Sequence, residues 1–343
     1  MKQVTIIGNY ASHQNSCSGQ VIKTKVITNA LTEYLGYKNV GVMDTAGKWL
    51  FLLRLPYVVL YALISSRQVI MMPAYKGIHI ISPLLYLLNL VLRRTLHYVV
   101  IGGWLPSYAQ RFFLLRFILK RFNHIYVETN GMKQAMEALG FHNIHVMPNC
   151  KPLTILTKEL LKEQHPPYRL CTFSRVIKEK GIEEAIMAVN SCNQQLGRVV
   201  CTLDIYGQVE EKEWFSLLMK NQPDTISYKG IVPFNKSTET IKDYFALLFP
   251  TYYKGEAFAG TLIDAMAAGV PTIASDWHAN PEIIEEGKTG YLFPAKSTTS
   301  LVQILVKIVQ QPNLILAMRE NCLQHAKDYQ PQVVIQELLS NMS

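Results

Sequence analysis

The chain has 343 residues, carries 34 Lys and Arg against 25 Asp and Glu, and is 49% hydrophobic. That length suits two domains of ordinary size, and so apolar a composition excludes a disordered or fibrous protein. Its six cysteines include no C-x-x-C pair and read as reduced thiols rather than a disulfide or zinc framework.

The charge is unevenly spread. Residues 1–150 hold 15 basic against 4 acidic side chains, whereas residues 151–343 hold 19 against 21. The first half is thus directed at something anionic, a lipid surface or a phosphorylated substrate. No nucleic-acid motif or Arg-rich recognition helix stands out, which argues against nucleic acid. Val4–Gly8 is too short for the apolar core of a signal peptide. The most hydrophobic run, Trp49 to Ile64, is interrupted by Arg54 and Pro56 and falls short of the roughly 20 residues a spanning helix needs. A buried or interfacial helix is expected there, in a cytoplasmic protein.

Taken in order, the first half alternates short apolar strands with helical stretches. Strands are expected at Val4–Gly8, Val40–Asp44, Val69–Met72, Tyr98–Gly102, Ile125–Glu128 and Ile144–Met147. This is the pattern of an α/β, mostly parallel, doubly wound sheet. The polar loop Asn9–Gln20, closed by Gly19, would sit at the carboxyl end of the first strand, where such sheets bind ligands. It is neither G-x-G-x-x-G nor a P-loop, so no dinucleotide or Walker site is expected and an oxidoreductase is disfavoured. Arg111–Arg121 (R-F-F-L-L-R-F-I-L-K-R) sets bases beside an aromatic and aliphatic stripe, and Arg93 and Arg94 end another apolar helix. These segments either lie on an anionic membrane or turn the stripe to the core while the bases reach water. His97 at a strand start is read as structural.

The polar stretch 151–167, closed by Pro166 and Pro167, marks a domain boundary. The second domain opens with a strand at Arg169–Ser174, followed by R-V-I-K-E-K-G ahead of a helix. Arg175 and Lys180 are two cations beside a helix start, which suits a diphosphate leaving group. Further strands are expected at Val199–Gly207, Ile226–Val232 and Ala246–Phe249, with a helix over Asn235–Phe245. Beyond Thr298 the chain reads as helical, broken at Pro312 and Pro331.

Between these lies Y-Y-K-G-E-A-F-A-G-T-L-I-D-A-M-A-A-G, Tyr252 to Gly269, a loop passing into a helix that Gly269 stops. A strand is expected to follow at Pro271–Ser275. A helix start leaves backbone N–H groups unpaired and partly positive, and Gly260 lets a phosphate or sugar oxygen approach them. Glu256 would stand at the mouth of such a pocket. Asp264 either accepts hydrogen bonds from a diol such as ribose or merely favours the helix dipole.

This stretch resembles the nucleotide-sugar motif of glycosyltransferase family 4. There a Glu, seven residues and a second Glu precede A-M-A-x-G-x-P. Glu256 matches the first Glu and Ala265–Pro271 the tail, while Asp264 replaces the second Glu with a side chain one methylene shorter. Arg175 and Lys180–Gly181 match the family's cations. Glu282 and Gly290 match the segment after Asp276, although the family's glycines before that Glu are missing.

The resemblance, weak over the first 95 residues and strong over about 125–295, implies an α/β protein of the GT-B fold. Two Rossmann-like domains would face each other across a cleft: an acceptor domain over 1–150, a linker over 151–167, and a donor domain over 168–328. A last helix over 329–343 would pack back on the first domain. It implies a retaining glycosyltransferase that takes a sugar from a nucleotide-diphosphate sugar. Arg175, Lys180 and Glu256 would act in catalysis. Gly19, Gly207, Phe258, Ala259, Gly260, Thr261, Leu262, Asp264 and Glu282 would line the donor site, with backbone N–H groups of Ala259–Thr261 on the β-phosphate. The chain lacks any D-x-D, so no cofactor or metal is expected. The family's His or Asp near the reacting sugar has no counterpart in I-G-G-W, leaving Gly103 and Trp104 as acceptor-side candidates. A glycan on a lipid pyrophosphate, used in surface or capsular polysaccharide assembly on the inner face of the plasma membrane, fits the basic, greasy first half. The alternative is a non-catalytic, membrane-associated partner of another glycosyltransferase.

Overall fold

The computed structural model describes residues 1–11, 19–45 and 49–342. The chain divides into two compact units: Met1–Pro152 with Gln330–Ser343, and Leu153–Tyr329.

The first unit holds six parallel strands: β1 (Lys2–Gly8), β2 (Val40–Asp44), β3 (Ser66–Met72), β4 (Thr95–Val99), β5 (His124–Val127) and β6 (Ile144–Val146). Their order is β2-β1-β3-β4-β5-β6. The second holds β7 (Tyr168–Phe173), β8 (Cys201–Tyr206), β9 (Ile226–Gly230), β10 (Ala246–Phe249), β11 (Thr272–Asp276) and β12 (Gly290–Pro294). Their order, β12-β11-β10-β7-β8-β9, reverses direction between β10 and β7, the point where open sheets bind ligands.

Most strand bounds move by one to three residues; the third strand, for one, starts at Ser66, not Val69. The fourth strand starts at Thr95, not Tyr98, because Thr95–Tyr98 pairs with Gln68–Met71; it ends at Val99, before Gly102 turns at φ +88°. The expected helix over Asn235–Phe245 shrinks to a 3-10 turn at Phe234–Lys236 and one helix, Ser237–Ile241. The expected helix after Pro331 is two short ones, Pro331–Val334 and Gln336–Ser340. Within the stretch expected as a linker, Leu153 and Ile155 pack on the second unit's core and Leu156 N–H donates to Ala267 O. The five described cysteines are free and buried.

Each sheet is buried on both faces, so its strands split their side chains between two cores. In the first unit, Ile7, Val69, Met71, Leu96 and Tyr98 face helices that include Trp49–Ser65, Ile78–Leu92 and Phe113–Leu119. Val4, Ile6, Ile70, Met72 and Val99 face the helix Gly19–Leu35 together with Val334, Ile335, Leu338 and Met342 of the carboxyl-terminal segment. The chain's last turns therefore complete one face of its first sheet.

Polar contacts fix that docking. Gln68 Nε2 donates to Met342 O at 2.6 Å, which turns Gln68 Oε1 toward His97 Nε2, 2.8 Å away. His97 Nδ1 lies 3.2 Å from the Tyr126 hydroxyl. His145 Nδ1 reaches Glu337 at 2.9 Å, and its Nε2 lies 3.0 Å from His124 Nδ1. His97 is fully buried, and both ring nitrogens are used only if the ring is neutral, as donor to Gln68 and acceptor from Tyr126. Burial, reinforced by His124 and His145, pushes its pKa down to about 3.

Among the described residues no single helix is long and apolar enough to cross a membrane. Yet the helices Trp49–Ser65, Ile78–Leu92 and Phe113–Leu119 lie side by side in that order. They bury only one side each. Outward stand Tyr57, Tyr61 and Ile64 on the first, Leu87, Leu90 and Val91 on the second, and Phe113, Leu114 and Phe117 on the third. Arg116 lies over the Phe113 ring and Arg121 over the Phe117 ring. The stripe of Arg111–Arg121 thus divides: Leu115, Ile118 and Leu119 enter the core with Phe112 packed against it, while Phe113 and Phe117 stand outside.

A depressed folded-state pKa makes neutral His97 stabilising above the unfolded value of about 6.5, and that contribution is lost as pH falls through the interval toward 3. The unfolding free energy of the wild type relative to His97→Gln, measured in urea, is expected to shrink steadily from pH 7.5 to pH 5. A pH-independent difference would show that His97 protonates equally readily folded and unfolded, and so is not held neutral by the fold.

Candidate functional site

The densest set of chemically capable side chains stands at the carboxyl ends of β7, β8 and β10. After β7 the chain turns through Ser174 and Arg175 into a 3-10 turn, Lys178–Lys180. Gly181, at φ +73°, then opens the helix Ile182–Gln195. A Cβ on Gly181 would meet Pro250 O at 2.2 Å, so glycine is what lets this turn lie against the end of β10. Two bonds stitch the loops together: Tyr252 N–H to Glu179 O at 2.8 Å, and Thr251 Oγ1 to the same carbonyl at 3.4 Å.

That stitching brings Lys180 onto Glu256. Lys180 Nζ pairs with Glu256 Oε2, and their side chains are only 8% and 9% exposed. The same carboxylate oxygen accepts from Thr251 Oγ1 at 2.9 Å. Thr251 is fixed in turn, since Ser275 Oγ donates to its carbonyl and Asn280 Nδ2 donates to Ser275 O at 3.0 Å. A buried ion pair gains from such added hydrogen bonds, because desolvation otherwise consumes most of the Coulombic attraction.

Arg175 lies beside this pair. Its Cζ is 5.1 Å from the Tyr253 ring centroid, and Lys180 Nζ is 5.4 Å from the same centroid. Tyr253 therefore lies against both cations. Its ring packs on Gly255, where a Cβ would fall 2.7 Å from Cε1, and its carbonyl accepts from Trp277 Nε1 at 2.9 Å. Arg175 also donates to Glu210, with Nη1 at 3.3 Å from Oε1 and 3.2 Å from Oε2. Burial lowers the guanidinium pKa, but bonds to the Tyr253 and Glu210 side chains outweigh it and hold Arg175 more firmly protonated than usual.

The remaining expected residues fall around this centre. Gly207 ends β8 at φ +137° with its Cα against Ser174 O, an approach that no Cβ permits. The helix Gly260–Ala267 begins as expected, with Ala259 at its N-cap and no side-chain cap. Thr261 Oγ1 donates to Phe173 O at 2.8 Å, tying this helix start to the end of β7. Phe258, Leu262 and Asp264 are buried, Phe258 edge-on to Tyr329 at 5.2 Å. Glu282 is exposed on the short helix Asn280–Ile283 that follows β11. His278 takes φ +49° in the segment where the family's glycines are missing.

Gly19, Gly103 and Trp104 belong to the first unit. Gly19 opens the helix Gly19–Leu35, and residues 12–18 of the loop before it lie outside the described residues. Gly103 is exposed after β4. Trp104 donates from Nε1 to Ile101 O at 2.8 Å and packs edge-on to Tyr75 and Tyr108, with centroids 6.4 and 5.1 Å away. Beneath them Lys23 Nζ, almost wholly buried, reaches Glu128 Oε1 at 2.6 Å and Val100 O at 3.2 Å.

Sequence reading missed Thr251, Tyr253, Glu210 and Trp277 in the second unit, and Lys23, Glu128 and Tyr75 in the first. Thr251 directly precedes the loop that was singled out, and Tyr253 lies within it. Glu210 sits in V-E-E, three residues past Gly207, and reads as an ordinary solvated turn. Among the described residues no group of three His, Cys, Asp or Glu side chains is arranged to hold a metal ion.

Over 191 residues, 54% of this chain, it is 28% identical to the GtfA subunit of the UDP-N-acetylglucosamine–peptide N-acetylglucosaminyltransferase of Streptococcus gordonii. Over 150 residues, 43% of the chain, it is 27% identical to the amylovoran biosynthesis glycosyltransferase AmsK of Erwinia amylovora. These segments span 36% and 37% of the two relatives' own lengths. The crystal structure of Anabaena HepE in complex with UDP-glucose superposes with a TM-score of 0.73 at 14% identity, covering 100% of this chain and 99% of that one. That likeness shows the two-domain α/β fold of GT-B type. The model of the glycosyl transferases group 1 family matches residues 157–328, half of the chain and all of the second unit's site. The chain belongs to the glycosyl transferases group 1 family.

Proposed function

We propose that this chain is a retaining glycosyltransferase of family 4 that moves a sugar from a nucleotide-diphosphate sugar to a glycan acceptor carried on a lipid pyrophosphate. The reading rests above all on one observation: at the sheet's point of reversal Lys180 pairs with Glu256 while Arg175 and Lys180 lie against the same Tyr253 ring, in the loop that leads to the uncapped start of the helix Gly260–Ala267. Two cations and a helix N-terminus are what a departing diphosphate needs. Glu256, held by Lys180 and Thr251, is placed to meet sugar hydroxyls or positive charge at the anomeric carbon. Asp264 binds the ribose, and N–H groups of Ala259–Thr261 take the β-phosphate. The leaving group's charge is met by protein cations without a metal. Relatives whose names give a UDP-sugar donor or polysaccharide biosynthesis support the donor and pathway class.

Arg175→Ala or Lys180→Ala is expected to lower kcat by more than about tenfold, as when one charge-stabilising donor is lost. Lys180→Ala also strips the buried Glu256 of its cation, so circular dichroism must accompany the kinetics. A folded variant with full activity would remove the assigned role. Asp264→Ala is expected to act chiefly on the donor KM. An unchanged donor KM would exclude ribose binding. If the purified chain neither transfers nor hydrolyses any nucleotide sugar, a non-catalytic partner role takes its place.

The first unit supplies the acceptor side, with Gly103 and Trp104 at its strand ends. We place the protein peripherally on the inner face of the plasma membrane. The exposed Phe113, Leu114 and Phe117, interleaved with Arg111, Arg116 and Arg121, support an anionic lipid surface as the partner. Vesicles containing anionic lipid are expected to sediment the wild type, less so at high salt, and to lose the double variant Phe113→Asp/Phe117→Asp. Equal sedimentation of the two proteins would exclude this face.

A further inference from the structure

We infer that Glu210 is a built-in competitor of the diphosphate for Arg175 and sets how tightly the donor and its nucleoside-diphosphate product are held. The inference rests on the function proposed above.

The two cations of the site are neutralised in different ways. Lys180 and Glu256 are buried together, and Glu256 also holds Thr251. Separating that pair would leave a buried charge without its partner, so Lys180 meets a phosphate with its remaining N–H groups while still paired to Glu256. Arg175 and Glu210 are 45% and 40% exposed. Ion pairs so open to water are weak and exchange readily, so Arg175 is the cation that a phosphate can take over.

Glu210 is nevertheless no stray surface carboxylate. Val176 and Val209 form a parallel bridge; Val176 N–H donates to Gln208 O at 2.8 Å and Glu210 N–H to Val176 O at 3.3 Å. Lys178 N–H donates to Glu211 Oε2 at 2.9 Å. The close approach of Gly207 to Ser174 O starts this pairing. The backbone after β8 is thus locked alongside the backbone after β7, with the carboxylate of Glu210 spread across one guanidinium nitrogen. A phosphate oxygen bound to Arg175 either displaces that carboxylate or lies within about 6 Å of it, a like-charge contact that costs roughly three- to tenfold in affinity at the dielectric of a half-exposed site. The contact also has a use: it favours departure of the spent nucleoside diphosphate.

The test is calorimetric titration with UDP, and with inorganic pyrophosphate as a probe that lacks the base. Glu210→Gln keeps the side chain's shape and removes its charge. It is expected to tighten both probes by about three- to tenfold, less so at high salt. In an Arg175→Gln background the same change is expected to have little effect, because the two side chains then no longer couple. If the wild type binds UDP and Glu210→Gln binds it equally or more weakly, Glu210 orients Arg175 for the phosphate instead, and the inference is overturned while the donor site stands. If neither probe binds the wild type or Glu210→Gln, the donor reading and this inference both fall.

Discussion

A carboxylate and an ammonium group that are more than nine-tenths buried leave the chain little freedom. Each must find the other, because either one alone in that environment is costly. The Lys180–Glu256 pair therefore acts as a positional constraint on everything attached to it. It fixes the turn after β7 against the loop after β10, and it requires Gly181 and Thr251 where they stand. It also leaves Tyr253 lying against the adjacent cation. The pair is held by hydrogen bonds that reach back through Ser275 to Asn280 beyond β11, so the geometry of three strand ends converges on one carboxylate. The rest of the arrangement at these strand ends follows from meeting this demand.

Much of this was legible in the sequence. The strand Val40–Asp44 was delimited to the residue because the polar Asn39 and Thr45 flank it, and Ala246–Phe249 ends where Pro250 stops it. Arg175, Lys180, Glu256 and the helix start at Gly260 were found through their spacing and their likeness to a known motif. The fourth strand was displaced by three residues for a physical reason: it begins T-L-H, and the polar Thr95 and His97 hide a strand start whose buried His97 is satisfied only by Gln68 and Tyr126 from neighbouring strands. Partners drawn from elsewhere in the chain were not legible either. Nothing near Glu210 marks it as a partner of a residue 35 positions earlier, and nothing near Lys23 announces Glu128, 105 positions later. Such pairs exist only once the sheet order is known.

The two units use their surfaces differently. The second covers its sheet with helices whose apolar sides turn inward. The first lets three neighbouring helices carry apolar side chains on both sides, with arginines stacked over the outward phenylalanines. A helix apolar all round belongs in a core or a lipid phase. The basic excess of residues 1–150 joins this same unit, so charge and greasiness coincide on one body rather than being spread along the chain.

The carboxyl-terminal segment has a consequence for synthesis. Val334, Ile335, Leu338 and Met342 close a core whose other members were laid down before residue 151. On the ribosome, the amino-terminal sheet must wait with one flank bare while the whole of Leu153–Tyr329 is translated. The second unit, contiguous in sequence, is able to mature first, and the earliest-made part of the molecule is the last to be finished.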